Sequence, residues 1–104
     1  MRILYELTPK ALDDLDEIWL YIAQDDRKAA DRVESAILAA CRSLSRFPGL
    51  GKPRNELTSE SLRFWTVPKY PNYFVVYWPE TKPLQIIAIL HGSRDIGPIL
   101  PSRY

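Results

Sequence analysis

The sequence predicts an α+β domain, in which an N-terminal strand and an antiparallel two-helix hairpin pack on a small antiparallel β-sheet (β-α-α-β-β-β). Two stretches with helical spacing of apolar residues fill the first half of the chain. Three runs rich in β-branched and aromatic residues follow within residues 62–90. The turns between these runs are too short for parallel crossovers, so the runs form an antiparallel meander. Helices segregated from such a sheet give an α+β fold.

Composition predicts one domain over residues 1–104. A chain of 104 residues with 46% hydrophobic content is large enough for a single core. The longest apolar run, residues 86–90, is too short to cross a bilayer, and residues 1–20 lack the basic start and apolar stretch of a signal peptide. We therefore expect a cytoplasmic protein with no membrane partner.

The first helix has a clear start in the sequence. Residues 2–7 predict a short strand, after which Thr8 is a good N-cap and Pro9 suits the first helical position. Apolar residues then recur every three or four positions to about Gln24. The acids of this helix are expected to turn mostly outward; they are Asp13, Asp14, Asp16 and Glu17.

The second helix begins after Asp25 and Asp26, a charged break with N-cap chemistry, and ends before Pro48 and Gly49. Because only a few residues connect the two helices, they must run antiparallel. A loop follows over residues 48–61, and strands are predicted at residues 62–67, 73–78 and 84–90.

Charge is unevenly distributed along the chain. Residues 1–41 carry five bases and nine acids, a net charge of −4, whereas residues 42–104 carry nine bases and four acids, a net charge of +5. This asymmetry predicts either a basic working face for an acidic protein or a nucleic acid, or an ordinary solvated surface.

His91 is the only histidine, and it lies where the last strand gives way to Gly92-Ser93-Arg94-Asp95. It is either a general base or acid, or a structural residue whose ring hydrogen-bonds backbone at the strand end. One histidine and one cysteine, Cys41, supply no metal ligand set, and four glycines form no phosphate loop. We expect no metal and no cofactor.

Three arginines, Arg54, Arg63 and Arg94, come from the loop, the first meander strand and the segment after the last strand. Together they could stabilise a phosphorane in RNA cleavage, or pair with an acidic partner. The alternative is internal ion pairing, of Arg54 with Glu56 and of Arg94 with Asp95.

Aromatic residues exceed what one small core is expected to hide on both faces of the sheet. Those that the structure leaves exposed would mark a binding surface. The set is Trp19, Phe64, Trp65, Tyr70, Tyr73, Tyr77 and Trp78.

Six segments occur in the order found in a known family. They are residues 7–11, 16–23, 48–57, 62–63 and 73–77, and His91-Gly92-Ser93-Arg94-Asp95. In these segments the chain resembles the ParE branch of the RelE/ParE toxin superfamily over nearly its whole length.

The resemblance implies the toxin of a type II toxin-antitoxin system, which inhibits DNA gyrase by binding and forms a hetero-oligomer with a cognate ParD-like antitoxin. No direct nucleic-acid partner is expected. We expect the target to contact the basic residues Arg54, Arg63, Arg94 and Arg103. We expect the antitoxin to contact the aromatic residues Trp19, Phe64, Trp65, Tyr73 and Trp78.

Two other functions remain open. One is a RelE-like, ribosome-dependent mRNA endonuclease in which His91, Arg63, Arg94 and Tyr104 would act on the message. The other is a non-toxic relative that only binds an antitoxin. Ala88 stands where relatives often have an arginine, and the helical hairpin is long, so we favour the binder, with no catalytic residues.

Overall fold

The structure, a computed structural model, describes residues 4–104. Its elements are β1 (Tyr5–Leu7), α1 (Pro9–Ala23), α2 (Arg27–Arg46), β2 (Arg63–Val67), β3 (Tyr70–Trp78), β4 (Leu84–His91) and a C-terminal 3-10 helix (Gly97–Arg103). The predicted α+β class, helical hairpin and meander are confirmed. Arg2 and Ile3, the start of the predicted first strand, lie outside the described residues.

Both helices begin where their caps predict. The Thr8 hydroxyl accepts a hydrogen bond from the backbone N–H of Ala11 at 3.3 Å, and Pro9 is the first residue of α1. The Asp26 carboxylate accepts one from the backbone N–H of Ala29 at 3.0 Å. Each side chain therefore satisfies an amide that has no partner inside its own helix.

The sheet has the order β1-β4-β3-β2. The meander strands are antiparallel, but β1 pairs with β4 in parallel, with Tyr5 opposite Leu84. The sheet is therefore mixed, whereas the sequence predicted an antiparallel one. The reason is that the whole hairpin and two strands separate β1 from β4, and so long a connection does not impose an antiparallel direction.

The sheet buries both of its faces. On one face α1 and α2 pack over a core that includes Leu15, Ile37, Leu44, Val75 and Ile86. On the other face, the loop before β2 and the C-terminal 3-10 helix cover a second core, which includes Leu62, Phe64, Val76, Leu90 and Leu100. The sequence had not predicted this back layer.

Within residues 4–104, no helix combines the length and the apolar character that a membrane span requires.

Candidate functional site

The outer edge of β4 is only half covered by a neighbouring strand. β1 ends at Leu7, and the last bond on its side runs from the backbone N–H of Thr8 to the carbonyl of Ile86 at 3.0 Å. Beyond this point, the amide of Ile89 donates to Asp14 Oδ2 at 3.0 Å, and the carbonyl of Ile87 accepts from Arg103 Nη1 at 3.0 Å. Two side chains thus replace the missing strand.

Asp14 and Arg103 also form an ion pair with each other. Arg103 Nη1 and Nη2 donate to the two carboxylate oxygens at 2.6 and 2.9 Å, and the two side chains are 9% and 5% exposed for Arg103 and Asp14 respectively. The hydrogen bonds to Asp14 raise the pKa of Arg103 above its ordinary value.

This geometry changes two expectations. The prediction that Asp14 turns outward with the other acids of α1 is wrong. Its carboxylate is buried and accepts a hydrogen bond from the amide of Ile89. Arg103, expected to contact a target, has its guanidinium enclosed by Asp14 and the carbonyl of Ile87. Its charge is therefore held in the interior of the molecule.

His91 closes the turn that follows β4. Its Nδ1 accepts a hydrogen bond from the backbone N–H of Ser93 at 3.0 Å, and the Ser93 hydroxyl lies 2.7 Å from the same nitrogen. A backbone N–H can only donate, so Nδ1 carries no proton and the ring proton lies on Nε2. The edge of the ring also meets Tyr73, with centroids 5.1 Å apart. These contacts hold the turn in shape.

A depression of about 310 Å³ lies between this turn and α1. His91 and Arg94 both line it, together with Tyr21 and Tyr73, and Arg94 is exposed. Neither Arg63 nor Tyr104 reaches the depression. Of the four residues considered for a nuclease, the fold therefore brings only His91 and Arg94 together.

Arg63 holds the loop before β2 to the sheet. Its Nη1 donates to the carbonyl of Gly51 at 2.6 Å. The buried hydroxyl of Tyr77 accepts from the amide of Gly51 at 2.9 Å and donates to the carbonyl of Pro48 at 2.7 Å. Glycine is favoured at position 51, because a Cβ atom there would lie 2.5 Å from that hydroxyl and force a neighbour to shift. The glycine-proline loop of the sequence is thus a fixed part of the structure.

Arg54 makes the internal pair considered for it in the sequence. Its Nε donates to Glu56 Oε2 at 2.7 Å, and the guanidinium lies over the ring of Phe64, 5.8 Å from the centroid. The hydrogen bond from Arg54 lowers the pKa of Glu56. Arg54 is therefore partly engaged on the back layer.

Tyr104 lies on the back layer as well. Its hydroxyl is 3.4 Å from the hydroxyl of Thr58, and its ring meets the edge of Trp78, with centroids 6.0 Å apart. Tyr104 therefore does not line the depression in which His91 lies.

The aromatic residues do not form one open face. Phe64 is buried in the back core, and Trp78 packs at its margin. Trp19 is half-buried, and its Nε1 donates to Asp31 at 2.8 Å, which ties α1 to α2. The back layer covers surface that the sequence left available to a partner. Among the five aromatic residues expected to contact an antitoxin, Trp65 lines a large groove and Tyr73 lines the depression beside His91.

The most exposed large apolar residues are ones the sequence analysis had not selected. Tyr21 is 74% exposed, Phe47 63% and Leu20 60%. Leu20 and Tyr21 lie off the apolar stripe of α1, so the helix turns both side chains towards solvent.

Within the described part of the chain, no three His, Cys, Asp or Glu side chains cluster as metal ligands would. Cys41 is fully buried, and burial raises the pKa of its thiol to about 12. Its thiolate is therefore suppressed near neutral pH, and it is unsuited to act as a nucleophile.

Comparison with known proteins finds a family match, a similar protein and a similar solved structure. Residues 5–96 match the family described as ParE toxin of type II toxin-antitoxin system, parDE. The chain is similar to Y4kP of Sinorhizobium fredii (strain NBRC 101917 / NGR234), a protein named as a candidate toxin; the two are 28% identical over 93 residues, which span 89% of this chain and 92% of Y4kP. The fold of this chain is similar to that of a chain in the chromosomal ParDE TA system from P. aeruginosa. The TM-score is 0.69 and the identity 22%, over 84% of this chain and 92% of the other.

Proposed function

We propose that this chain, which belongs to the ParE toxin family of type II toxin-antitoxin systems, inhibits DNA gyrase by binding it and is neutralised by a cognate ParD-like antitoxin. The observation that carries the proposal is the family match over residues 5–96, which spans every helix and strand except the C-terminal 3-10 helix. The RelE/ParE resemblance of the sequence supplies gyrase as the target.

The state of His91 supports binding rather than bond chemistry. A general base must offer a free lone pair to the proton it removes. In this chain the lone pair of Nδ1 already faces the amide of Ser93, and Nε2 carries the ring proton. Arg63, which would have to help stabilise a phosphorane, is bound instead to the carbonyl of Gly51. These contacts favour a toxin without catalytic residues.

Arg94 is the principal target contact in this proposal. It is exposed and lines the depression beside the His91 turn, whereas Arg54 and Arg63 make internal contacts and Arg103 is enclosed. Arg54 and Arg63 are only half-buried and act as secondary contacts at most. A guanidinium with no internal partner is free to pair with a carboxylate of the target.

The antitoxin forms a hetero-oligomer with the chain in the cytoplasm, where gyrase and its DNA are found. Trp65 and Tyr73 remain its aromatic contacts, since both line concave surfaces of the described chain. Phe64 is removed from that set because it is buried, and Trp78 and Trp19 are removed because they line neither of these two surfaces.

The experiment is a supercoiling assay with purified gyrase, relaxed plasmid and increasing amounts of the chain. The proposal predicts loss of supercoiling together with linear DNA that is released after protein digestion. A parallel reaction offers translating ribosomes and message to the same preparation. Unchanged supercoiling at large molar excess would reject gyrase as the target, and codon-specific message cleavage would favour the nuclease instead.

A further inference from the structure

The depression between α1 and the turn after β4 carries charges of opposite sign on its two walls. Glu17 lines it from α1 and Arg94 lines it from the turn, and both residues are exposed. Neither belongs to an ion pair within the described chain. The other acid of the depression, Asp14, is neutralised by Arg103. One negative and one positive charge therefore face the same space of about 310 Å³ without a counter-charge.

Tyr21 supplies a large apolar surface at the same place. At 74%, it is the most exposed large apolar residue that the structure describes, and it lines the depression from α1. Tyr73 lies close to it, since burial and then the neighbouring Tyr21 phenol raise the pKa of Tyr73. Tyrosine and arginine are enriched among the residues that dominate the binding energy of protein interfaces. An exposed tyrosine beside an arginine without an ion pair therefore indicates a protein partner.

His91 adds one hydrogen-bond donor of fixed orientation. Because its Nδ1 accepts from the amide of Ser93, the ring proton lies on Nε2. Within the described chain the ring makes no hydrogen bond through Nε2, and this nitrogen is not among the buried polar atoms left unpaired. Tyr73 lies opposite His91 on β3, and its edge contact restrains the ring. The Nε2–H group is therefore accessible to an acceptor of the partner.

The two walls of the depression select different charges. The guanidinium of Arg94 and the Nε2–H group of His91 are both donors, so the turn suits a carboxylate. The ionised carboxylate of Glu17 only accepts, so the α1 wall suits a lysine or an arginine. A purely acidic or purely basic partner would be repelled at one wall, and like charges across an interface disfavour binding. The occupant therefore carries both signs.

We propose that this depression binds a short segment of gyrase that carries one acidic and one basic side chain. The acid binds Arg94 and the Nε2–H group of His91, the base pairs with Glu17, and the ring of Tyr21 packs against the segment. Tyr21, His91 and Glu17 thus join Arg94 as target contacts. This inference rests on the proposed function, because it takes gyrase as the partner.

The first test measures the dissociation constant of purified, intact gyrase for variants of the full chain. Tyr21→Ala removes the exposed ring, and the matched control Leu20→Ala removes a neighbouring side chain that is 60% exposed and lies outside the depression. Alanine favours a helix, so both variants should keep the circular dichroism spectrum and thermal stability of the parent. We expect Tyr21→Ala to weaken binding by about 10-fold or more, and Leu20→Ala to leave it within about twofold.

The second test reverses the charge of the α1 wall. Glu17→Lys makes this change, and Asp16→Lys makes the same change at the adjacent exposed position outside the depression. We expect Glu17→Lys to weaken binding by about 3- to 10-fold at low salt and by less at high salt, and Asp16→Lys to leave it within about twofold. Tighter binding by Glu17→Lys would mean that a purely acidic segment enters the depression, and would contradict this inference.

The parent chain separates failure of this inference from failure of the proposed function. If the parent binds gyrase, and Tyr21→Ala and Glu17→Lys bind as tightly as their controls, gyrase contacts another surface. That result would overturn this inference and leave the proposed function standing. If the parent neither binds gyrase nor inhibits supercoiling, the proposed function fails, and this inference fails with it.

Discussion

Asp14 and Arg103 come from the two ends of the chain and meet at the part of the outer edge of β4 that β1 does not cover. Their ion pair is joined to the sheet at both partners, through the amide of Ile89 and the carbonyl of Ile87. It therefore fastens the C-terminal 3-10 helix to α1 and satisfies two backbone groups of a buried strand. Two guanidinium nitrogens of Arg103 face the two carboxylate oxygens of Asp14, so the pair depends on this paired geometry as well as on charge.

Removing one partner of this pair should destabilise the chain strongly. Asp14→Ala leaves the Arg103 guanidinium buried without its counter-charge and orphans the amide of Ile89. We expect a loss of about 3–5 kcal/mol in the free energy of unfolding, measured with urea. Asp13→Ala, at the exposed neighbouring position, serves as the control and should change stability by no more than about 0.5 kcal/mol. Equal, small effects would show that the pair contributes little.

The two glycines of the loop before β2 should respond in opposite ways to alanine. A Cβ at Gly51 would lie 2.5 Å from the Tyr77 hydroxyl and 3.0 Å from the carbonyl of Phe64, whereas a Cβ at Gly49 would meet nothing within 4 Å. We expect Gly51→Ala to destabilise the chain by about 1–3 kcal/mol. Gly49→Ala should be neutral or slightly stabilising, because it restricts the unfolded chain. Urea unfolding of both variants decides this, and a neutral Gly51→Ala would contradict the close packing of the loop against Tyr77.

The sequence predicted what is decided locally. Thr8, Pro9 and Asp26 mark helix starts through contacts within a few residues, and runs of β-branched and aromatic residues located the three meander strands. What it missed depends on distant partners. Asp14 looks like any outward acid of an amphipathic helix until the uncovered amide of Ile89 is known. The burial of Phe64 likewise depends on a C-terminal helix that carries no strong periodicity.

The candidate site shows the same division. The sequence located the turn at His91 and Arg94 correctly as the end of the last strand. It could not separate Arg94, which is exposed, from Arg103, which is enclosed, because both follow the sheet as isolated bases. The groove between α2 and β2, which Trp65 lines, could not be predicted from the sequence either, since residues of α2 and β2 meet only in the folded chain.

Alkaline pH should destabilise the chain through Cys41. Burial raises the pKa of this thiol from 9.0 to about 12, so above pH 9 the unfolded chain releases a proton that the folded chain keeps. The contribution of Cys41 is fully present below that pH and declines as pH rises towards 12, by up to about 1.4 kcal/mol per pH unit.

Comparison with Cys41→Ala isolates this effect, because the buried tyrosines are common to both proteins. We expect the stability of the parent, relative to the variant, to fall by about 2 kcal/mol between neutral pH and about pH 10.5 in urea unfolding experiments. A constant difference over that range would mean that the thiol ionises as readily in the folded chain as in the unfolded one.

Arg94 should matter for the target and not for folding. Its side chain is exposed and forms no ion pair within residues 4–104. We expect Arg94→Glu to raise the concentration needed for half-inhibition of gyrase by about fivefold or more, since a favourable contact becomes repulsive. Thermal stability should stay within a few degrees of the parent. Lys28→Glu provides the charge-matched control, and an equal effect from it would reveal a general dependence on net charge.

The claim that this toxin acts by holding its target is tested most directly by titrating gyrase with the chain at several incubation times. A tight binder without catalysis gives residual supercoiling that depends on the molar ratio of toxin to gyrase and stays constant once binding is complete. We predict that result. Inactivation that continues with time at a small fraction of the gyrase concentration would indicate turnover, and would contradict an inhibitor that acts by binding alone.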